Sequence, residues 1–303
     1  MTLRAAIDIG SNSIRLLIAQ TDGFLLQEEA FSLETTRLGA TSNGQLTPEA
    51  FSRSVEVIVS FAQRAEAAGV APEDIVCFAT AAVREAANGP DFVQAVARAC
   101  GVKARIIPGQ QEAALALRGV RHAFPNLERL AVLDIGGAST ECAFWGVDEP
   151  AQSVPIGAVK LMKAAGACDV IPPEAMHQAR QAAKAAFAGM KPMDIPWIGV
   201  GGGITTAASV VYALPDDGPA HVNGRRLVRG GIDVLAAALA DMPQAQRNAV
   251  PGMQPQRAEV LPFALVIASE FLFAVGARHI EACGYGNLHG ALLEAEAEAR
   301  GEG

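Results

Sequence analysis

Several things are scarce in this chain of 303 residues, and each scarcity excludes something. Charged residues make up 18%, and acids outnumber Lys plus Arg by 32 to 24, a net charge of −8. A general nucleic-acid coat needs a basic face, which this balance does not offer. An anionic ligand must instead be held locally, by backbone amides, a few arginines and a metal. The five cysteines, Cys77, Cys100, Cys142, Cys168 and Cys283, are dispersed and form no CxxC pair. That rules out a disulfide framework and reads as reduced, mostly buried thiols in a cytoplasmic protein. The most apolar stretch, Leu261 to Gly276, contains Glu270 and falls short of the ~20 residues of a membrane span. The start, MTLRAAIDIG, has no charged region followed by a clean apolar one, so no export signal is expected. His122, His177, His221, His279 and His289 are too far apart for zinc spacing. His221 falls in a Gly/Pro/Asp-rich loop that could border a cleft.

What is present is a core. Half of the residues are hydrophobic, far from the composition of disorder, and the length suits two domains. Leu3–Asp8 and Ile14–Ala19 are apolar runs around Gly10-Ser-Asn-Ser13, the turn chemistry of a β-hairpin. A helix begins at Thr47-Pro48, a strand covers Ile75–Ala79, a helix Asp91–Ala99 and a strand Lys103–Ile107. Pro108-Gly109 then opens a helix to about His122, completing an α/β domain. After Pro125 the pattern restarts, with strands at Leu130–Asp134, Thr140–Trp145 and Pro196–Val200. Helices are expected around Val159–Ala165, Pro173–Phe187, Ile204–Tyr212, Gly231–Ala240, Arg257–Cys283 and Gly286–Arg300, with Gly201-Gly202-Gly203 as a loop.

The strongest signal is an internal repeat. Asp8-Ile9-Gly10-Ser11-Asn12-Ser13 lies over Asp134-Ile135-Gly136-Gly137-Ala138-Ser139, each copy following one apolar strand and leading into another. Self-similarity at this spacing suggests two related domains rather than a solenoid. A Gly/Ser turn between strands exposes successive N–H groups, a nest for anionic oxygens, and small residues let phosphate approach the backbone. The Asp ending each first strand could hold hydrated Mg²⁺. Residues two apart on a strand share a face, so Ser13 accompanies Arg15 and Ser139 accompanies Glu141. One hairpin thus offers a cation where the other offers an anion: Arg15 could clamp a phosphate while Glu141 and Asp134 handle metal or water. Gly201–Gly203 reads either as a tight strand–helix turn or as a third ligand loop, and the two upstream turns favour the ligand loop. Lys160 and Lys163 give one basic helix face, more economically a solvated surface than a track for an anion.

DIG-x-x-S in each half, followed later by a strand–glycine–helix segment, resembles the actin, sugar kinase and heat-shock chaperone ATPase superfamily. The finer likeness rests on Asp8–Leu16, Ala79–Asn88, Pro108–Ala113, Asp134–Glu141, Gly199–Thr206, Arg257–Val260 and Tyr285–Leu292. In that order, these segments resemble the exopolyphosphatase/guanosine pentaphosphate phosphohydrolase (Ppx/GppA) family. The resemblance implies an α/β fold of two related actin-like ATPase-type (ribonuclease H-like) domains facing each other across a cleft. The expected domains are 1–122 and 123–303, with the last helix able to pack back on the first. The chain looks like a short form without an extra C-terminal helical domain.

The same resemblance implies a hydrolase of phosphoanhydride bonds, releasing terminal phosphate from inorganic polyphosphate, or alternatively from the 5′ end of pppGpp. Glu112 matches the catalytic base, and Asp134 and Glu141 match acids that bind metal or position water, with Asp8 as a further metal ligand. Ser11, Asn12, Ser13, Gly136, Gly137, Ser139 and Thr140 match phosphate loops, joined by Gly201, Gly202 and Gly203, and Arg15 and Arg84 match phosphate-binding arginines. Mg²⁺ is the expected cofactor, with Mn²⁺ as alternative. The expected partner is polyphosphate or a phosphorylated guanosine nucleotide, with no nucleic acid and no membrane; a homodimer is allowed. Ala138 stands where the family has glycine, and Gln111 where an acid often precedes the base. Near the end, CGYG and NLHG replace forms with arginine and aspartate, which bears on distal substrate contacts. A small-molecule kinase of the same superfamily and a non-catalytic polyphosphate or alarmone sensor are the rivals from other classes.

Overall fold

Thr47 caps the first long helix as its sequence demands. Its side chain accepts from the Ala50 N–H at 3.3 Å, and Pro48 opens the helix. In the computed structural model, which describes residues 1–39, 41–166 and 169–301, the same local logic recurs along the chain. The chain divides into two compact units, Met1–His122 with Gly286–Gly303, and Ala123–Tyr285.

In the first unit run β1 (Thr2–Ile9), β2 (Ser13–Thr21), β3 (Leu26–Thr35), β4 (Thr41–Ser42), β5 (Gln45–Leu46) and α1 (Pro48–Ala67). β6 (Ile75–Ala79), α2 (Ala81–Arg84), α3 (Gly89–Cys100), β7 (Ala104–Ile106) and α4 (Gly109–Ala123) follow. The second unit contains β8 (Leu130–Ile135), β9 (Thr140–Trp145), β10 (Gln152–Val154), α5 (Ala158–Ala165), α6 (Pro173–Ala186), β11 (Trp197–Val200) and α7 (Gly201–Tyr212). It continues with α8 (Pro219–Val222), β12 (Arg226–Val228), α9 (Arg229–Ala240), α10 (Gln244–Asn248), α11 (Leu261–Ala274) and β13 (His279–Ala282). The final helix, α12 (Asn287–Ala299), whose place the sequence left open, lies against β1 and β2 of the first unit.

The two main sheets share one topology. The first has strand order β3-β2-β1-β6-β7, the second β10-β9-β8-β11-β13-β12. In each, the first three strands are antiparallel neighbours and the next two add in parallel. This is the duplicated α/β architecture that the repeat implies. Each sheet has its own apolar core. One gathers Ile7, Ile9, Leu16, Phe61 and Phe92. The other is built around Leu133, Trp197 and α11, where Trp197 meets Phe144 and Phe271 edge to face.

Two expected elements differ. The single helix expected over Arg257–Cys283 ends at Ala274. Gly276, at φ +69°, turns the chain into β13, which pairs in parallel with β11. Because α11 is buried on nearly every side, it has no polar face whose loss would mark its end. Gly201–Gly203 are the first turn of α7 rather than a separate loop. Cys77, Cys142 and Cys283 are buried free thiols and Cys100 is half-buried; burial pushes the Cys283 thiol up to about 12. Cys168 lies outside the described residues. No described helix is long and apolar enough to cross a membrane.

Candidate functional site

In the first unit the candidate residues collect at the carboxyl ends of β1, β6 and β7, the edge where ligands bind in sheets of this kind. The Gly10 N–H donates to the Ser13 carbonyl at 3.2 Å, closing the β1–β2 turn. The chain beyond β3 braces it: Thr36 and Arg37 N–H donate to the Asn12 carbonyl, and Gly39 N–H to that of Ser11. Ser11, Asn12 and Ser13 are all buried, and Asn12 Nδ2 donates to Ser13 Oγ at 3.2 Å. Asp8 and Arg15 face each other across the β1–β2 register and form an ion pair through Asp8 Oδ2. Asp8 Oδ1 is buried without a hydrogen-bond partner.

One strand over, Thr80 N–H donates to the Ile9 carbonyl, and α2 starts there, bringing Arg84 to its end. Arg84 Nη1 donates to the Ile107 carbonyl at 2.8 Å and lies 3.4 Å from Glu112 Oε2. Glu112 sits in the first turn of α4, only 6% exposed. A carboxylate is favoured near a helix N-terminus, and here a guanidinium stands beside it.

The second unit repeats the construction. Gly136 N–H donates to the Ser139 carbonyl at 2.9 Å, the counterpart of Gly10 and Ser13. The chain beyond β10 braces this turn: Ala158 N–H donates to the Gly136 carbonyl, and Val159 and Lys160 N–H to that of Gly137. Ala138 is not among the residues with positive φ, so its methyl group introduces no backbone strain. Thr140 Oγ1 donates to the Ile156 carbonyl at 2.7 Å. Asp134 and Glu141 face each other in the β8–β9 register, the pair that corresponds to Asp8 and Arg15. Ser153 Oγ, on β10, holds Glu141 Oε1 at 2.7 Å.

β11 runs beside β8, and α7 follows at Gly201. Its φ of +82° and its closeness to Asp134 explain the glycine: a Cβ there would stand 2.6 Å from Asp134 Oδ1. The first-turn N–H groups of α7 thus gather beside Asp134 and form the kind of helix start that accepts anionic oxygens. Gly136, Gly137, Ser139, Thr140, Asp134, Glu141 and Gly201 to Gly203 therefore belong to one edge of the second unit.

Several contacts around these turns follow from no spacing in the sequence, although Arg257 lies in the family-like Arg257–Val260 segment and His221 in the Gly/Pro/Asp-rich loop. The Arg257 guanidinium lies directly on Gly202, where any Cβ would overlap it. Asp217 accepts from Thr205 Oγ1 at 3.0 Å and from Gln254, tying the loop before α8 to the first turn of α7. Among the described residues, Asp217 lies 12 positions from Thr205, with no spacing motif to join them. His221 is engaged with Asp216 at 2.8 Å, and its ring, with the Gly218 N–H, holds that carboxyl below the ordinary range.

Among the described residues no three His, Cys, Asp or Glu side chains form a complete cation cage. Mg²⁺ does not require one: it keeps waters and takes one or two carboxylates together with substrate phosphate oxygens. The buried, unpartnered Asp8 Oδ1 in the first unit, and the carboxylates of Asp134 and Glu141, paired across β8 and β9 in the second, are oxygen donors of that kind.

Comparison with known proteins finds relatives of the whole chain. The chain is 26% identical to a solved Ppx/GppA family member from Aquifex aeolicus, with a TM-score of 0.81 and 98% of both chains covered. It is 28% identical, over 96% of its length, to a bifunctional 3-dehydroquinate synthase/phosphatase of Fusobacterium nucleatum. Over 68% of its length it is 32% identical to a Haemophilus influenzae protein provisionally named an exopolyphosphatase. It spans 46% and 66% of the lengths of these two curated relatives. The model of the Ppx/GppA phosphatase family matches residues 17–299, and with nearly the whole chain accounted for in this way, the chain belongs to that family.

Proposed function

We propose that this chain is a phosphohydrolase that releases the terminal phosphate of inorganic polyphosphate by attack of water activated by Glu112. The observation that carries this reading is the pairing of a buried Glu112 with Arg84, 3.4 Å apart, at a helix start. Phosphoryl transfer has a loose transition state, so positioning and charge stabilisation do most of the work. Water needs a carboxylate to orient it and take its proton as its oxygen bonds to the terminal phosphorus. The Glu112 carboxylate fills that role, Arg84 orients it, and the bridging P–O bond breaks to leave the shortened chain as an anion.

The N–H groups of the two glycine turns and of the α7 start face negative charge as an oxyanion hole does. Arg15, set in place by Asp8, adds a cation at the first turn. Asp134 and Glu141 would hold Mg²⁺, which when bound supplies charge neutralisation on the phosphate oxygens. The relatives named above as phosphatase and exopolyphosphatase support this class of reaction.

The test is phosphate release from long-chain polyphosphate and from pppGpp with Mg²⁺, for wild type and Glu112→Gln. The near-isosteric change removes the base, and the expected loss is about 10²–10⁴-fold. Equal rates in the two proteins would remove Glu112 from the role. Faster turnover of pppGpp would replace the substrate, and no release from either would favour a kinase or a sensor.

A further inference from the structure

A cavity of about 220 Å³ in the second unit is walled by Met162 and Lys163 of α5, Ile171, Arg247 of α10, and Glu259 and Phe263 beside the start of α11. Arg247 is only 1% exposed. Its guanidinium donates to the carbonyls of Leu239 and Asp169, at 3.4 and 2.8 Å, and to Gln244 Oε1 at 2.8 Å. None of these acceptors carries a charge, and the buried Arg247 Nε has no acceptor at all. A buried cation whose hydrogen-bond acceptors are all neutral is costly. Burial accordingly pushes the Arg247 guanidinium below its ordinary range, an effect that the fields of Asp169 and Glu259 offset only in part. Lys163, at the exposed rim, is lowered by burial in the same way. Two cations thus border the cavity against one lining carboxylate, Glu259, and the remaining walls are largely apolar.

We propose that this cavity binds one tetrahedral oxyanion of phosphate size, held by Arg247 from below and Lys163 at the rim. The site is separate from the two glycine turns, yet its walls reach the second one. α5 begins with N–H groups bonded to the Gly136 and Gly137 carbonyls, and Glu259 lies two residues beyond Arg257, which rests on Gly202. Occupancy therefore bears on both elements that shape that turn. The binding claim stands apart from the proposed reaction, because it is read by affinity and not by turnover.

The experiment is calorimetric titration of the whole chain with inorganic phosphate at fixed ionic strength, for wild type, Lys163→Met and Glu259→Gln. Arg247 is left intact because its burial makes any change a folding test. Removing the rim cation should weaken phosphate binding roughly tenfold, and removing the lining carboxylate should tighten it by a comparable factor. Unfolding midpoints in urea confirm that the variants remain folded. Equal affinity in all three proteins overturns the proposal. So does phosphate binding that is lost in Arg84→Ala, since the anion would then sit at the first-unit site. Binding of tripolyphosphate without binding of phosphate would also overturn it, because the cavity is sized for a single group.

Discussion

The two glycine turns share a backbone and differ in charge. In both, the glycine after the first strand donates to the serine three residues on, and an Asp is the last-but-one residue of the strand. In both, the chain beyond the third strand returns to bond the turn, through Gly39 in one unit and the Gly157–Lys160 segment in the other. Opposite the Asp, however, the first unit carries Arg15 and the second Glu141. Backbone amides bind an anion whatever side chains surround them, so a duplicated turn keeps that property in both copies. The position opposite the Asp is free to diverge, and there the copies have become complementary: a cation beside one carboxylate, two carboxylates together in the other.

The sharpest way to break this contrast is to erase it. Glu141→Arg gives the second turn the charge of the first. Phosphate release should fall by about 10²–10³-fold, the usual cost of losing one preorganised electrostatic group. A variant that turns over like wild type would mean that the divergence is idle. Next come the two braces. A Cβ at Gly157 would overlap the Gly137 backbone, whereas one at Gly39 would meet Ser11 at 3.1 Å. Overpacking of this kind costs about 1–3 kcal/mol, so Gly157→Ala should approach the top of that range and Gly39→Ala the bottom, read from urea unfolding. Equal costs would show that the turns are braced alike.

Arg84→Met removes a charge-assisted contact from the first unit only. It should lower kcat by loosening Glu112 and raise KM for polyphosphate roughly tenfold, and a change confined to kcat would leave Arg84 as an orienting group without a phosphate contact. Thr47→Ala removes the α1 cap, remote in the chain from either turn. It should cost about 1 kcal/mol of stability and leave turnover unchanged, setting the baseline for the others.

The sequence carried the turns well because each depends on local chemistry: a strand, a glycine, small polar residues and another strand. β8 and β9 fall almost where the apolar run and the turn after it put them, and Pro48 and Thr47 mark α1 to the residue. Legibility fails where tertiary burial replaces local pattern. α11 is apolar on all sides and gives no period by which to find its end, and the four-residue β13 is defined only by pairing with β11. At the site, Glu112 and Arg84 were legible only through family likeness, since a lone Glu or Arg on a helix says nothing of its neighbours. Ser153 on Glu141 and Asp217 on Thr205 escaped notice because they join chain segments separated by folding, not by a motif.

The return of α12 to the first unit has a consequence for how the protein is made. Arg4, in the first strand, is buried against Glu296 of the last helix at 3.0 Å. Gly290 and Gly286 of the last segment press on Leu115 and Gly119 of α4, the helix that begins with Glu112. As the chain leaves the ribosome, the first unit therefore waits, one helix short, while the whole of the second is synthesised. The helix that carries the proposed base gains this support only after the second unit has been made, so a molecule cut short before α12 would have both glycine turns and a loosely held Glu112.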